Sequence, residues 1–432
     1  MKSIRHTTNV YTLLVFLYWF ANALPLALLI LLMQERGLSL LQISVLFGIN
    51  ALTVVLLEVP TGSLADIIGR KQVTIWAALL MMFGFGVFLT AFSFPMLLLG
   101  GMIYGASRAL ASGALDAWFV DTVQAHDPEI DLQPLFAKAG AMTLLGLALG
   151  TLLGGIIPLS FDALPLPATP ILTKLSLPLA ASLMIQVLRL VLVGLLVVED
   201  RPTASRSPRT VISTLPIFIR DAARLSRQSA LIRLIFFATV GGGFVMVSLE
   251  NLWQPHFAIL LGERADNTVM FGVIMAGNFV LGAVGNMIST ALAQRFGQRL
   301  GLLAGVMELL RGAALILLAV QGNVYLATLF FWLVYFGMGI SGPAVGTILH
   351  SEISADVRST VLSIQSMLTY LGVFAGSFVL GGLAEWFSIQ TAWIVGSVVF
   401  FFLFIPYRKI DQLYRPNSQT TQDKADAELQ TV

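Results

Sequence analysis

Long apolar runs alternate with short polar connections along most of the chain. A helix needs about 20 apolar residues to cross a bilayer, so each run predicts one membrane-spanning helix. We number these spans 1 to 12 in chain order, and we expect an all-α polytopic membrane protein. The runs cover residues 10–33, 41–61, 72–93, 96–120, 135–157, 177–198, 236–260, 269–290, 300–320, 324–349, 360–384 and 390–407.

The composition agrees with this pattern and excludes several classes of protein. Of the 432 residues, 57% are hydrophobic and only 11% are charged, whereas soluble domains carry about 25% charged residues. The composition therefore excludes three classes of protein: a soluble enzyme, a nucleic-acid-binding protein and a disordered scaffold. Cysteine is absent, so no disulfide or thiolate metal site is expected. No Asn-x-Ser/Thr sequon occurs, which favours a bacterial inner membrane as the location.

The distribution of positive charge predicts the orientation in the membrane. Twelve spans place both termini on one side, and 19 of the 25 Lys and Arg fall on that side. The opposite side holds Arg36, Lys174 and Arg264, and three more lie within spans: Arg108, Arg189 and Arg311. By the positive-inside rule we expect both termini to be cytoplasmic.

An offset of 228 residues aligns the two halves of the chain. It pairs Arg5 with Arg233 and Asn50 with Asn278, and it superimposes the polar loops that follow spans 2 and 8. One offset that serves several landmarks predicts two parallel six-helix repeats. The expected organisation is a bundle over 1–198, a linker over 199–230, a second bundle over 231–410 and a disordered tail over 411–432.

The linker holds three arginines at helical spacing, Arg220, Arg224 and Arg227. One interpretation is a basic amphipathic helix on the anionic cytoplasmic leaflet. The other is a solvated connection that only preserves topology.

The loop after span 2 carries the pattern Gly62-x-x-x-Asp66-x-x-Gly69-Arg70-Lys71. This resembles the signature of the major facilitator superfamily. The resemblance implies the fold of that family, two pseudo-symmetric six-helix bundles, and a loop that latches the halves together on the cytoplasmic side. An alternative reading is a positive-inside anchor with turn glycines. The equivalent loop of the second half has Gln294 in place of the acid, so an electrostatic latch would be asymmetric.

Three acids near the cytoplasmic ends of spans 2 and 4 extend this cluster. We expect Glu58, Asp116 and Asp121 to form a gate network with Arg70 and Lys71. Coupled protonation of these acids is the alternative role.

Span 5 contains a stripe of small residues, Gly146, Gly150, Gly154 and Gly155. Small residues at a spacing of four allow two helices to approach closely. The stripe resembles the fifth-helix glycine motif of proton-coupled drug antiporters, with Thr151 where that group usually has proline. Close packing between helices is the structural alternative.

Glu250 in span 7 is the principal candidate for a functional acid. The offset relates it to Asn22 of span 1, and both positions lie near the bilayer midplane, where repeat transporters bind substrate and ions. We expect these two residues, with Arg108, to line a central cavity in which Glu250 exchanges protons. The remaining predicted cavity residues are aromatic or amide side chains: Tyr18, Trp19, Asn251, Trp253 and Gln254. The alternative is a buried structural pair of Glu250 with Arg108.

Two other intramembrane charges have different expected roles. Glu308 and Arg311 stand three residues apart in span 9, so we expect a structural ion pair on one helix face. Arg189 in span 6 has no partner that its sequence context identifies.

The expected function is secondary active export of a small amphipathic organic molecule by proton antiport. Alternatives are a proton-coupled importer or symporter, and a non-transporting membrane sensor or scaffold. No P-loop, catalytic constellation or metal-ligand spacing occurs, so neither an enzyme nor a cofactor is expected, with the proton gradient as the driving force. The expected partners are substrate, protons and lipid, with the protein as a monomer and without nucleic acid.

Overall fold

The computed structural model describes residues 4–161, 169–199, 220, 224, 227, 229–262, 266–353 and 358–414. Every regular element in those ranges is helical, and 12 helical segments are long and apolar enough to cross a membrane. The predicted all-α polytopic fold is therefore confirmed. An even number of spans puts both termini on one face of the membrane. We call it the terminus face and the opposite one the far face.

The first six spans make up the N-terminal half. Span 1 is the helix Ile4–Ala23, which continues through a 3₁₀ turn at Leu24–Ala27 into the short helix Leu29–Glu35. Span 4 consists of two helices, Phe94–Ala111 and Ala114–Gln124. The other spans are single helices: Leu40–Ile68, Arg70–Thr90, Gln133–Ile156 (followed by a 3₁₀ turn at Ile157–Ser160) and Leu177–Leu196.

Spans 7 to 12 make up the C-terminal half, and each is one helix. Their bounds are Ala230–Leu261, Thr268–Arg295, Leu300–Val320, Val324–Glu352, Arg358–Trp386 and Ile389–Leu413.

Helix packing repeats between the two halves. In the N-terminal half the main contacts join spans 1 and 5, 1 and 6, 2 and 4, 3 and 4, and 3 and 6. The same pairs recur six spans later as 7 and 11, 7 and 12, 8 and 10, 9 and 10, and 9 and 12. Two equivalent contacts join the halves, span 2 with span 11 and span 5 with span 8. The arrangement is the pseudo-symmetric pair of bundles that the 228-residue offset predicts.

The halves close against each other at the far face. The Gln254 side chain accepts hydrogen bonds from the backbone N–H groups of Ile30 and Leu31, at 3.0 and 3.2 Å, and donates one to the Leu26 carbonyl at 2.8 Å. Leu26 and Gln254 are one repeat offset apart, so repeat-related positions meet near the pseudo-two-fold axis. Thr268 adds a hydrogen bond from its hydroxyl to the Gly155 carbonyl at 2.7 Å.

The glycine stripe of span 5 allows this close packing. A Cβ on Gly150 would lie 2.6 Å from the Phe20 carbonyl oxygen of span 1, and one on Gly154 would overlap the Leu24 carbonyl oxygen. A Cβ on Gly155 would lie 2.8 Å from the Gly272 Cα of span 8. Gly146 packs in the same way against the Phe16 carbonyl of span 1. The stripe is therefore explained by helix packing, and its relation to antiport stays a prediction.

The apolar interior differs between the halves. One continuous cluster of buried apolar side chains fills the C-terminal half. Two separate clusters fill the N-terminal half, one around Phe85 and Phe88 and one around Trp118 and Phe119. Polar side chains are buried in the N-terminal half at positions between the two membrane faces, among them Asn22, Gln186 and Arg189.

The predicted linker and tail lie mostly outside the described residues. Within 201–228 the structure describes Arg220, Arg224 and Arg227, which are helical and exposed. The membrane-surface role of that segment and the domain boundaries stay predictions.

Candidate functional site

A cavity of about 470 Å³ lies among spans 1, 4, 5, 6 and 11. Its lining includes Tyr11 near the start of span 1, Ser112 at the break of span 4, Asp116 in the second helix of that span, and Phe136 near the start of span 5. All these positions lie towards the terminus face. Because the hydrogen bonds of Gln254 and Thr268 hold the halves together at the far face, the cavity is directed to one side of the membrane.

Arg108 of span 4 lines the cavity and bridges the two halves. Its guanidinium donates a hydrogen bond to the Tyr370 hydroxyl of span 11 at 2.9 Å, and its Cζ lies 5.6 Å from the centre of the Tyr370 ring. Four residues later the helix is interrupted by Ser112 and Gly113, and Gly113 has a left-handed φ of +75°. This break separates Arg108 from the acidic end of the span.

Arg189 of span 6 lies in the wall of the same cavity and is only 3% exposed. Its Nε donates a long hydrogen bond, 3.4 Å, to the Leu14 carbonyl, and its Cζ lies 4.8 Å from the centre of the Tyr18 ring. Among the described residues no carboxylate lies within ion-pair distance of Arg189 or Arg108. An arginine at the centre of a span costs about 2.5–3.5 kcal/mol on translocon scales. Two such groups without a carboxylate partner among the described residues make this cavity the candidate functional site.

Glu250 faces the interior between the halves. It is exposed, whereas its helix neighbours Leu249 and Asn251 are buried. Its carboxylate interacts electrostatically with Arg108 of span 4 and with Tyr335 of span 10. It forms no hydrogen bond or ion pair to another described residue. The structure therefore places Glu250 near Arg108 without the direct pair that the structural alternative required.

The lining of this cavity does not include Glu250, and the other predicted cavity residues separate into two groups. Tyr18 and Trp19 line the cavity together with Arg108. The other four are buried elsewhere, and for them the prediction of a cavity position is corrected: Asn22, Asn251, Trp253 and Gln254.

Each corrected residue has a packing environment of its own. Asn22 turns towards spans 3 and 4, where its side chain meets Met81 and the Tyr104 hydroxyl. Trp253 stacks on Phe331 inside the C-terminal half, with ring centres 5.5 Å apart. Asn251 is 4% exposed, and Gln254 forms the far-face contact. A position near the bilayer midplane is not enough to place a side chain in the cavity. The direction in which the side chain leaves its helix decides which residues it contacts.

The predicted gate residues do not form one network. Arg70 forms an ion pair with Asp121 at 3.0 Å, which joins the start of span 3 to the end of span 4 within one half. Asp116 accepts a hydrogen bond from the Tyr11 hydroxyl at 2.8 Å. Glu58 accepts one from Ser366 of span 11 at 3.3 Å. The side chains at positions 62 and 66 lie outside the described residues, and the gating role stays a prediction.

An unpredicted acid completes the turn between spans 2 and 3. Glu199, just after span 6, accepts hydrogen bonds from the backbone N–H groups of Arg70 and Lys71, both at 2.8 Å. Gly69 between the spans has φ of +97°, and a Cβ there would lie 2.9 Å from the Glu199 carboxylate. A carboxylate at a helix N-terminus compensates its free N–H groups and its dipole. Lys71 reaches the Gly194 carbonyl instead of an acid, at 2.8 Å.

The second half repeats this cap with a different acid. Asp411 at the end of span 12 accepts a hydrogen bond from the Leu302 N–H at 3.1 Å and forms an ion pair with Arg299 at 2.7 Å. Thus an acid at the end of each sixth helix caps the third helix of its half. Sequence reasoning missed both, although Glu199 directly follows the apolar run of span 6 and Asp411 lies four residues after that of span 12.

The predicted pair in span 9 is present and buried. Arg311 donates to both carboxylate oxygens of Glu308, at 2.7 and 2.8 Å, and both residues are at most 3% exposed. The Arg311 Cζ also lies 4.2 Å from the centre of the Phe400 ring.

Two pseudo-symmetric six-helix bundles around a polar cavity define a membrane transporter architecture. The family model of the major facilitator superfamily matches residues 11–270 and 265–429. The chain belongs to that superfamily and is a multi-pass membrane protein. No curated protein matches it in sequence.

Three solved structures with this fold are distant from this chain in sequence. The nucleoside transporter NupG is 13% identical with a TM-score of 0.74, covering 95% of this chain and 100% of that one. The human organic anion transporter MFSD10 (TETRAN) is 18% identical with a TM-score of 0.61, covering 94% and 100%. A POT family transporter in complex with a thioalcohol conjugated peptide is 14% identical with a TM-score of 0.67, covering 92% and 94%. At these identities the likeness shows the fold alone.

Proposed function

We propose that this transporter carries a small organic molecule by proton-coupled alternating access, with Glu250 as the proton-binding group. The observation that carries the proposal is the position of Glu250. It is an acid in the middle of span 7 that faces the space between the halves and has no direct partner among the described residues. Acids in such intramembrane positions commonly bind substrates or relay protons.

The asymmetry between the two faces supports alternating access. Gln254 and Thr268 join the halves at the far face, while the cavity lies towards the terminus face. We infer from the positive charge of the connections that the terminus face is cytoplasmic. The lack of an Asn-x-Ser/Thr sequon favours a bacterial inner membrane. In that orientation the cavity faces the cytoplasm.

The direction of coupling is part of the proposal. Export by proton antiport is the expectation drawn from the glycine stripe of span 5, the midplane acid and the aromatic cavity, and helix packing explains the first of these. Glu250 interacts electrostatically with Arg108, and we infer from this interaction that the alternative, symport, is favoured.

A vesicle assay tests the proton coupling. Everted vesicles that express the protein are energised, and their pH gradient is followed by acridine orange while uridine, dialanine or 2-naphthoate is added. We expect at least one compound to change the gradient, and Glu250→Gln to abolish the change. The matched control is Glu352→Gln, which neutralises an exposed acid at the end of span 10. Proton movement that persists in Glu250→Gln would disprove the assignment. No flux with any compound, together with a stable soluble partner, would favour the sensor or scaffold alternative.

Cysteine labelling tests the alternating access, since the natural chain has no cysteine. Ser112→Cys lines the cavity and should react with a membrane-impermeant maleimide from the terminus face. Thr268→Cys, buried between the halves, should be protected. Adding Gln254→Ala removes far-face hydrogen bonds and should expose Thr268→Cys to reagent from the far face. Equal labelling of Thr268→Cys with and without Gln254→Ala would argue against this contact as a closure.

A further inference from the structure

Two guanidinium groups in one cavity have no carboxylate within ion-pair distance in the part of the chain that the structure describes. Arg108 has the Tyr370 hydroxyl, and Arg189 has one long hydrogen bond and the face of Tyr18. Neither forms an ion pair with a described residue. Burying a charged side chain costs free energy, so we expect a buried guanidinium to have a group that neutralises it.

Acidic side chains lie near these arginines, but among the described residues none of them forms an ion pair with either guanidinium. Glu250 and Glu58 both interact electrostatically with Arg108, and Glu58 accepts a hydrogen bond from Ser366. Asp116 lines the cavity, but it accepts a hydrogen bond from the Tyr11 hydroxyl. The remaining titratable groups around the two arginines are tyrosine hydroxyls: Tyr18, Tyr104, Tyr335 and Tyr370. Arg189 faces only Tyr18 among them.

From this arrangement we propose that the transported molecule is an organic anion, whose acidic group is bound by Arg108 and Arg189. Guanidinium groups bind carboxylates and phosphates through paired hydrogen bonds. The substrate class rests on the proposed function, since it takes this cavity as the transport site.

The rest of the cavity wall specifies an apolar, flat remainder of the substrate. Aromatic rings of Tyr18, Trp19, Phe136 and Tyr370 line it. Its volume of about 470 Å³ accommodates a molecule of two fused rings with one or two acidic groups. The substrate is thus an aromatic or similarly apolar anion rather than a small inorganic one.

Glu250 makes the binding of such an anion depend on protons. When it is ionised, Glu250 attracts Arg108 and repels an approaching anion. When it is protonated, that competition ends and anion affinity rises. Linkage requires the converse, so a bound anion increases the proton affinity of Glu250. Anion and proton then cross together, which is symport.

A binding assay with four ligands of one shape tests the charge preference. The purified full chain in detergent is titrated with 2-naphthoate, naphthalene-2,6-dicarboxylate, 2-naphthamide and 2-naphthylmethylammonium, with binding read by tryptophan fluorescence and thermal shift. We expect the two anions to bind and the amide and the cation to bind at least about tenfold more weakly, the factor that one lost charged hydrogen bond corresponds to.

Substitution of Arg189 separates specific binding from general attraction. Arg189→Gln should weaken 2-naphthoate binding at least about tenfold and leave 2-naphthamide unchanged. Arg189→Lys, which keeps the charge, should retain part of the affinity. The matched control is Arg295→Gln, at an exposed position that ends span 8, and it should bind as the unmodified chain does.

The proton dependence provides a further readout that misfolding would not imitate. Between about pH 8 and pH 6 an aromatic carboxylate stays ionised, because its pKa lies near that of other carboxylic acids. We expect 2-naphthoate affinity to rise as the pH falls through this range, and the rise to vanish in Glu250→Gln, which should bind tightly throughout.

The possible results distinguish the two proposals. Preference for the cation, equal binding of all four ligands, absence of binding by both anions, or unchanged affinity in Arg189→Gln would overturn the anion class. If the cation alone drives Glu250-dependent proton flux in vesicles, the anion class fails and the proposed function stands. If 2-naphthoate binds as expected but no proton flux accompanies it, the proposed function fails and the anion site stands.

Discussion

Spans 6 and 9 carry almost the same four-residue segment in two different settings. Span 6 has Gln186-Val-Leu-Arg189 and span 9 has Glu308-Leu-Leu-Arg311. Both arginines are 3% exposed. In span 9 the acid one turn earlier neutralises the arginine through two short hydrogen bonds. In span 6 the amide bonds to the sulfur of Met81 instead, and its own Oε1 has no hydrogen-bond partner among the described residues.

The difference shows how one side chain separates a structural charge from a functional one. A self-contained ion pair can lie inside an apolar cluster, as Glu308 and Arg311 do in the C-terminal half. An arginine without such a partner needs a polar environment, and the cavity beside Arg189 supplies one. Four experiments test this comparison, in order of decreasing expected effect.

The largest effect is expected from Glu308→Gln, which makes span 9 resemble span 6. It leaves Arg311 buried without a counter-ion, and breaking a buried pair costs about 3–5 kcal/mol. Thermal unfolding in detergent should show a large loss of stability. Replacing both partners, with Glu308→Leu and Arg311→Met, should restore most of it. Wild-type stability of the single variant would show that the pair is not structural.

The two arginines should differ when each is replaced by methionine. Arg311→Met leaves the Glu308 carboxylate buried and alone, and should cost about 3 kcal/mol or more. Arg189→Met leaves no carboxylate behind, so its unfolding temperature should stay near that of the unmodified chain while anion binding is lost. Equal destabilisation by both substitutions would contradict the distinction between the two sites.

The reciprocal exchange, Gln186→Glu, makes span 6 resemble span 9. The new carboxylate lies at the same i, i+3 spacing and should neutralise Arg189. Anion affinity should then fall about tenfold, or about 1.4 kcal/mol, without loss of thermal stability. Ligand titration and thermal shift measure the two quantities separately. Undiminished anion binding in this variant would remove Arg189 from the site.

The smallest effect is expected from Tyr370→Phe, which removes the hydroxyl that accepts a hydrogen bond from Arg108. Loss of one such bond costs about 1 kcal/mol. Thermal unfolding should show a modest decrease, with Tyr325→Phe as the control because Tyr325 is 70% exposed. A decrease as large as that of Glu308→Gln would mean that Arg108 depends on Tyr370 as Arg311 depends on Glu308.

Most of the architecture could be predicted from the sequence, because it depends on apolar runs and a repeat that are visible in the sequence itself. A span is a matter of length and apolarity, and the confirmed helices follow the predicted runs. The break of span 4 at Gly113 was not predicted, since a single glycine in an apolar helix is usually tolerated. The caps made by Glu199 and Asp411 were missed because each joins helices far apart in sequence.

The candidate site was predictable only in part. Arg108 and Glu250 are predicted at the cavity because intramembrane charge is costly, and Tyr18 and Trp19 are predicted there as aromatic neighbours. In the structure Arg108, Tyr18 and Trp19 line the cavity, whereas Glu250 interacts electrostatically with Arg108 and is not part of the lining. Asn22, Trp253 and Gln254 share the right depth but point into helix contacts. Depth can be counted along a helix, whereas the facing direction depends on neighbours that the chain brings from other spans.

What the sequence alone determined is the number of spans, the repeat and the family signature in the loop after span 2, since each rests on local apolarity or on spacing along the chain. Only the tertiary structure decided which buried charges have partners. Glu308 and Arg311 meet within one helical turn, so their pair could be predicted. The lack of a partner for Arg189 could not be predicted in this way. It depends on all the helices that pack around Arg189, none of which places a described carboxylate within ion-pair distance of it. The cavity follows from that packing, and with it the place where an anion is expected to bind.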